Sequence, residues 1–246
     1  VLVRLPTSVS EARECLAEGA VPVGGATLVW ATWQHEGFPE LAVSLRELPE
    51  ANVLGRETVG GAVVLRRIDG RVPDVLRLAA ASVGTGAVRR TATVGGNLVG
   101  STLRCLLPAA LVLDARATVL EPDGVRETDL AELVAKRPVL LSLRWRTPLT
   151  CAYRKLPGAV GGPPPLVVAS ALHAEGDGNG PLLRIAVRHG YDVLGAAVSY
   201  GTGTGTVTGT DETLHALRST DLAGLPAAAW AVVDSQIAAL TPEAMD

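Results

Sequence analysis

Apolar positions near the start of the chain change period several times within fifty residues. Leu2, Val3 and Leu5 precede Pro6 and predict an edge strand. Ser8-Val9-Ser10-Glu11 has the form of a capping box, and Val9, Ala12, Cys15 and Leu16 then share one helical face, with Gly19 where a glycine ends a helix. Ala20 to Val23 predicts a short apolar strand running straight into Gly24-Gly25-Ala26-Thr27, and Leu28-Val29-Trp30 opens a helical stretch to about Gln34. Leu41 to Leu45 predicts the next strand, so residues 1–50 read as a small α/β unit.

The pattern then becomes mixed. Gly60 to Leu65 predicts a strand entered through glycines, and Pro73 fits the first turn of a helix reaching about Ser82. Val88 to Val94 is rich in strand formers and ends in Gly95-Gly96-Asn97; an apolar helix follows from Leu106 to Ala115. Ala117 to Leu120 predicts a strand, Glu121 to Gly124 a turn, Thr128 the cap of a short helix, and Val139 to Trp145 another strand. After the run Gly161-Gly162-Pro163-Pro164-Pro165 come two strands, Leu166 to His173 and Leu182 to Arg188, on either side of a turn at 175–180. The Gly/Thr tract 201–206 reads as a loop, and helices are predicted over Asp211–Arg218 and Ala227–Leu240. The fold class is α+β, in three parts: 1–50, 51–150, and a small antiparallel sheet with helices over 151–246.

Composition narrows the function classes. Of 246 residues 48% are hydrophobic and 19% charged, a globular balance. Twenty-two basic against 25 acidic residues leave no excess with which to neutralise a nucleic acid backbone. No apolar run reaches the roughly 18 residues of a membrane span, and the first residues lack the charged and apolar regions of a secretory leader. Cys15, Cys105 and Cys151 lie far apart with no CxxC pair, which points to a reducing, cytoplasmic setting rather than a zinc site, an iron–sulfur site or a disulfide framework. His35, His173, His189 and His215 are scattered. Trp30 and Trp33, at i and i+3, suit either a pocket wall or core packing.

Two segments share one logic: Gly24-Gly25-Ala26-Thr27 and Thr93-Val94-Gly95-Gly96-Asn97 each place two glycines after a predicted strand, beside residues with side-chain donors. Without a Cβ, a glycine backbone can approach a pyrophosphate closely. Neither segment is GxGxxG or GxxxxGK[ST], so neither a Rossmann dinucleotide site nor a P-loop is indicated. Taken singly, each glycine pair could equally serve a tight turn that needs positive φ.

Taken together, and with their surroundings, the segments resemble the FAD-binding medium subunits of the molybdopterin dehydrogenase family, which include the flavoprotein of carbon monoxide dehydrogenase and the FAD domain of xanthine dehydrogenase. The resemblance rests on Val23-Gly24-Gly25-Ala26-Thr27-Leu28, on Thr93-Val94-Gly95-Gly96-Asn97-Leu98, on the helix Pro108 to Arg116, and on Ala152-Tyr153-Arg154-Lys155-Leu156, over roughly residues 3–173. It implies FAD as cofactor, with the pyrophosphate between Gly24, Gly25, Ala26 and Thr27 on one side and Thr93, Gly95, Gly96 and Asn97 on the other. It also implies contacts from Ser101 and from Tyr153 near the isoalloxazine. The implied activity is that of an oxidoreductase or electron-transfer flavoprotein, fed by iron–sulfur and molybdenum subunits and passing electrons to NAD, oxygen or a quinone.

Three departures stand out. Cys105 falls where the family has an Asp that contacts the ribose, Pro157-Gly158 replaces a basic pair, and the C-terminal part is short. They leave open a second reading, a stand-alone enzyme for a small-molecule substrate on the same scaffold, in secondary metabolism. That enzyme would be either a flavin oxidase or dehydrogenase, or a non-redox cyclase. A third is a binding protein without catalysis. The residues present no catalytic acid–base pair.

Overall fold

The computed structural model describes residues 1–158, 161–174, 181–200 and 209–240. They form an α+β fold that divides into two compact units. The first comprises Val1–Val72, Ala79–Leu106 and Ala115–Arg146; the second comprises Pro73–Leu78, Leu107–Asp114 and the described residues from Thr147 onward.

The first unit opens with a parallel sheet of three short strands, β1 (Leu2–Arg4), β2 (Val21–Pro22) and β3 (Leu41–Val43), in the order β1-β3-β2. Helix α1 (Val9–Ala17) starts where the sequence places it. Ser8 Oγ accepts from Glu11 N at 3.2 Å, although the Glu11 carboxylate reaches back to Thr7, accepting from its N at 2.8 Å and its Oγ1 at 3.1 Å. Gly19 follows the helix at φ +85°. Ala12 and Cys15 face the core and pack with Val43, Leu48, Leu120 and Leu141. The last two belong to a second, antiparallel sheet of five strands: β4 (Leu54–Gly55), β5 (Thr58–Gly60), β6 (Arg116–Glu121), β7 (Gly124–Thr128) and β8 (Val139–Arg144), in the order β4-β5-β8-β6-β7.

Three predicted elements of this unit come out differently. The strand expected over Gly60–Leu65 stops at Gly60; beyond it Val64 makes only an isolated bridge to Thr93 before a 3-10 turn at Leu65–Arg67. The strand expected over Val88–Val94 is mostly helical. Thr85 Oγ1 accepts from Val88 N at 3.3 Å and caps the short helix Gly86–Arg89, and Ala92 N bonds back to Val88 O at 2.8 Å. A local cap here outweighs the β-branched composition. Asp129, rather than Thr128, caps the helix Leu130–Lys136, accepting from Glu132 N at 2.7 Å.

In the second unit an antiparallel sheet runs in the order β12-β11-β10-β9, formed by β9 (Thr150–Lys155), β10 (Val167–His173), β11 (Leu182–His189) and β12 (Asp192–Ser199). The outer pair, β9 and β12, adds two strands to the two that the sequence predicts here. Every residue of β10 from Val167 to Leu172 is buried, because helices cover both faces. The helix Leu107–Val112 packs on β10, β11 and β12, and the C-terminal helix Ala227–Leu240 packs on β9 and β10 through Ala229, Val233 and Ile237. His173 Nε2 donates to Val112 O at 2.7 Å and Arg184 pairs with Asp114 at 3.0 Å, tying the sheet to the first of these helices. The turn at 175–180 and the Gly/Thr tract 201–206 lie outside the described residues. Among the described residues, no helix is long and apolar enough to cross a membrane.

One ion-pair cluster joins β7 to the helix that follows it. Arg126 bridges Glu121 and Glu132, and hydrogen bonds from Lys136, Thr128 and Arg126 hold the Glu132 carboxyl down at about 2, well below its ordinary 4.5. A carboxyl lowered by folding contributes stability that is present above its ordinary value and is lost as the pH falls through the folded one. Thermal unfolding should therefore show a loss of stability between about pH 4.5 and 2 that shrinks in Glu132→Gln. Parallel profiles for the two proteins over that range would refute the assignment.

Candidate functional site

The site is built where β2 gives way to a helix. Val23 N still pairs with Val43 O at 2.8 Å, so the sheet holds the chain up to that point. The helix α2 (Val29–Glu36) begins six residues later, with Trp30 N bonded to Ala26 O at 3.1 Å. Ala26 takes the left-handed conformation, φ +52°, and turns the chain between the two. Among the described residues, no acceptor takes the backbone N–H groups of Gly24, Gly25, Ala26, Thr27 or Leu28, nor does the Thr27 hydroxyl have a partner. All five residues are at least partly exposed. Consecutive unpaired N–H groups at the start of a helix present partial positive charge to an anion and satisfy the oxygens of a phosphate group.

The second glycine segment is differently disposed. Gly95 N donates to Gly61 O at 2.8 Å, Gly96 N to Thr93 Oγ1 at 3.1 Å and Asn97 N to Thr93 O at 3.0 Å, so its backbone donors are spent within the protein. Asn97 is buried, and its Oδ1 accepts from Leu106 N at 2.9 Å. The segment enters a single π-helical turn, Gly96–Gly100, a distortion common at functional sites.

The two segments nevertheless meet. A Cβ on Gly25 would stand 1.8 Å from Thr91 O and one on Gly24 2.4 Å from Thr93 Oγ1. The first loop lies directly on Thr91–Thr93, Gly25 against the backbone and Gly24 against the Thr93 side chain, at a distance that only glycine permits. The alternative explanation, positive φ at a turn, does not hold: none of Gly24, Gly25, Gly95 and Gly96 has positive φ, and Gly95 sits at φ −61°. Thr93 is the shared support, packed beneath Gly24 and accepting from Gly96 N.

The remaining expected residues take their own places. Ser101 is buried, and its Oγ accepts from Leu103 N at 3.1 Å. Tyr153 lies half-buried on β9 in the second unit, opposite Ala169 of β10. Cys105 is buried, so a carboxylate in its place would need partners inside the protein. Neither Leu28 as a donor nor Thr91 as the floor of the loop is evident from the sequence. The only available clue was that two glycines occur together in each segment.

A fit to FAD can be judged on this geometry. The pyrophosphate of a dinucleotide needs several donors, close backbone approach and no competing carboxylate. The first loop meets these needs with five free N–H groups, two glycines and a hydroxyl.

Comparison with known proteins agrees. Residues 3–142 match the family described as the FAD binding domain in molybdopterin dehydrogenase. No curated protein sequence matches the chain. Among solved structures, it is similar to a chain of quinoline 2-oxidoreductase from Pseudomonas putida 86, with a TM-score of 0.67 and 18% identity, covering 96% of this chain and 93% of that one. A chain of carbon monoxide dehydrogenase from Hydrogenophaga pseudoflava gives the same TM-score, identity and coverage. A chain of reconstituted CO dehydrogenase from Oligotropha carboxidovorans gives a TM-score of 0.62 at 22% identity, over 75% of this chain and 73% of that one.

Two outcomes follow from the geometry. Gly25→Ala drives a Cβ into backbone and should push the loops apart, whereas Gly96→Ala meets only Thr93 Oγ1 at 3.1 Å and should be tolerated. FAD titration and thermal unfolding of both variants would show it, and equal behaviour would refute the packing role of Gly25. Asn97→Ala leaves the buried Leu106 N–H without its acceptor and should cost about 1–3 kcal/mol in chemical denaturation. An unchanged midpoint would mean that the bond contributes nothing.

Proposed function

Because the chain belongs to the family of FAD-binding domains of molybdopterin dehydrogenases, we propose that its first glycine loop holds the FAD pyrophosphate and that it serves as the flavin-carrying component of a redox assembly. FAD is its cofactor and oxidoreduction its chemistry. The observation that carries the placement is the row of unpaired N–H groups from Gly24 to Leu28. Charge-assisted bonds of this kind contribute roughly 1.5–3 kcal/mol each, so two or three suffice to fix a phosphate group. Thr27 adds a hydroxyl, and Ala26, in the left-handed conformation, turns the chain within the loop.

Thr93, Gly95, Gly96 and Asn97 serve this site from behind. Thr93 supports Gly24 and caps the second loop, Gly95 fastens that loop to Gly61, and Asn97 locks it to Leu106. Ser101 holds the loop's exit, and Tyr153 is assigned to the flavin end through the family motif on β9. When bound, FAD supplies the capacity to accept a pair of electrons and to release them singly or together. The protein's part is to anchor and orient it.

The partners proposed are an iron–sulfur subunit and a molybdenum subunit upstream, with NAD, oxygen or a quinone as acceptor. Assemblies named as CO dehydrogenase and quinoline 2-oxidoreductase contain chains of this fold, which supports that reading. Three free cysteines suit a cytoplasmic, reducing setting.

Incubation with FAD followed by desalting tests the assignment. The protein should retain an equimolar visible flavin band that bleaches on chemical reduction and returns with an acceptor. A colourless protein with no calorimetric signal for FAD would overturn it.

A further inference from the structure

The helix that follows the first glycine loop is unusual in burying nothing: none of the residues of α2 is buried. Yet it carries two tryptophans and ends against a phenylalanine. Gly37, at φ +97°, turns the chain so that Phe38 folds back on the helix, edge-on to Trp30 at 5.3 Å between ring centres and to Trp33 at 6.0 Å. Trp30 remains 54% exposed and Phe38 44%. The cluster is thus held in a fixed arrangement by its own edges while one large indole stays open to solvent.

Its position matters more than its exposure. Trp30 is joined to the loop by its own backbone N–H on Ala26 O, and it stands three residues beyond Thr27, about 4.5 Å along a helix. FAD carries an aromatic ring system on each side of its pyrophosphate, one sugar or sugar alcohol away. A pyrophosphate held by the N–H groups of residues 24–28 therefore brings one of these rings within reach of an indole on the first turn of α2. Building on the placement of the pyrophosphate at the first loop, we infer that Trp30, braced by Phe38 and Trp33, is the shelf on which one ring system of FAD stacks. Exposed aromatic faces beside phosphate-binding groups bind planar bases in this manner, without hydrogen-bond readout.

The charge around the shelf is compatible with this. His35 and Glu36 lie at the far end of α2, and the first turn of the helix carries no acidic residue to oppose a phosphate. Because no residue of α2 is buried, removing an indole from it should leave folding intact.

The test is an equilibrium titration of FAD, ADP and FMN into the wild-type protein and into Trp30→Ala and Trp30→Phe, with thermal unfolding of each protein without ligand. Trp30→Ala should unfold at the wild-type temperature and bind FAD roughly tenfold or more weakly, while Trp30→Phe stays within about threefold. The fragments separate the two rings: a loss confined to ADP places the adenine on the shelf, and a loss confined to FMN places the isoalloxazine there. A folded Trp30→Ala with wild-type affinity for FAD overturns the inference, leaves FAD binding itself standing and assigns the cluster to some other contact. If the wild-type protein takes up no FAD at all, both the inference and the reading beneath it fall.

Discussion

The contact on which the site depends is one of backbone on backbone. Residues 24 and 25 lie so close to Thr91–Thr93 that no Cβ fits between them. This contact is not stabilised by apolar burial in any large amount; what it provides is position. With the first loop set down on the second, the N–H groups of residues 24–28 have no acceptor among the described residues. The second loop, in which the N–H groups of Val94, Gly95, Gly96 and Asn97 all find acceptors within the protein, forms the floor. A symmetric pair of glycine segments in the sequence thus becomes an asymmetric pair in the fold, one presenting donors and the other supporting it.

The supports extend further than the two loops. Thr93 is itself placed by an isolated bridge to Val64, and Gly95 by its bond to Gly61, so the segment after β5 is part of the floor. β5 is held in turn by β8 in the five-stranded sheet. α1 and β3 pack on Leu120 and Leu141 of that same sheet, and β3 in turn pairs with β2, the strand that leads into the first loop. Within the first unit, the geometry of a few exposed donors rests on interactions that are mostly apolar and well away from them.

What the sequence makes legible follows the range of the forces involved. α1 is legible because the Ser8 cap, the apolar face and Gly19 all act within a few residues of one another. The C-terminal helix Ala227–Leu240 is legible because an unbroken run rich in alanine and other apolar residues follows Pro226. The segment Val88–Val94 is misread because its β-branched residues suggest a strand, while a single threonine at 85 starts a helix and only Thr93 finds a strand partner. β12 is missed because Gly195 and two alanines dilute its pattern, and it exists through pairing with β11. Both glycine segments stand out in the sequence, but which of them leaves its donors unpaired depends on hydrogen bonds to Gly61 and Leu106 that no local pattern announces.

The chain also passes between its two compact units five times, at 72/73, 78/79, 106/107, 114/115 and 146/147. The helix Leu107–Val112 is interposed between two stretches of the first unit, yet it packs on strands β10, β11 and β12, which are synthesised some sixty or more residues later. During synthesis its buried face, with Leu107, Ala110 and Val112, must wait without a partner. Such non-local pairing slows folding and prolongs the exposure of apolar surface. A chain cut after residue 146 would hold the first glycine loop but not the strands on which Leu107–Val112 packs. The fragment would keep every residue of the loop together with an apolar helix whose packing partners are gone.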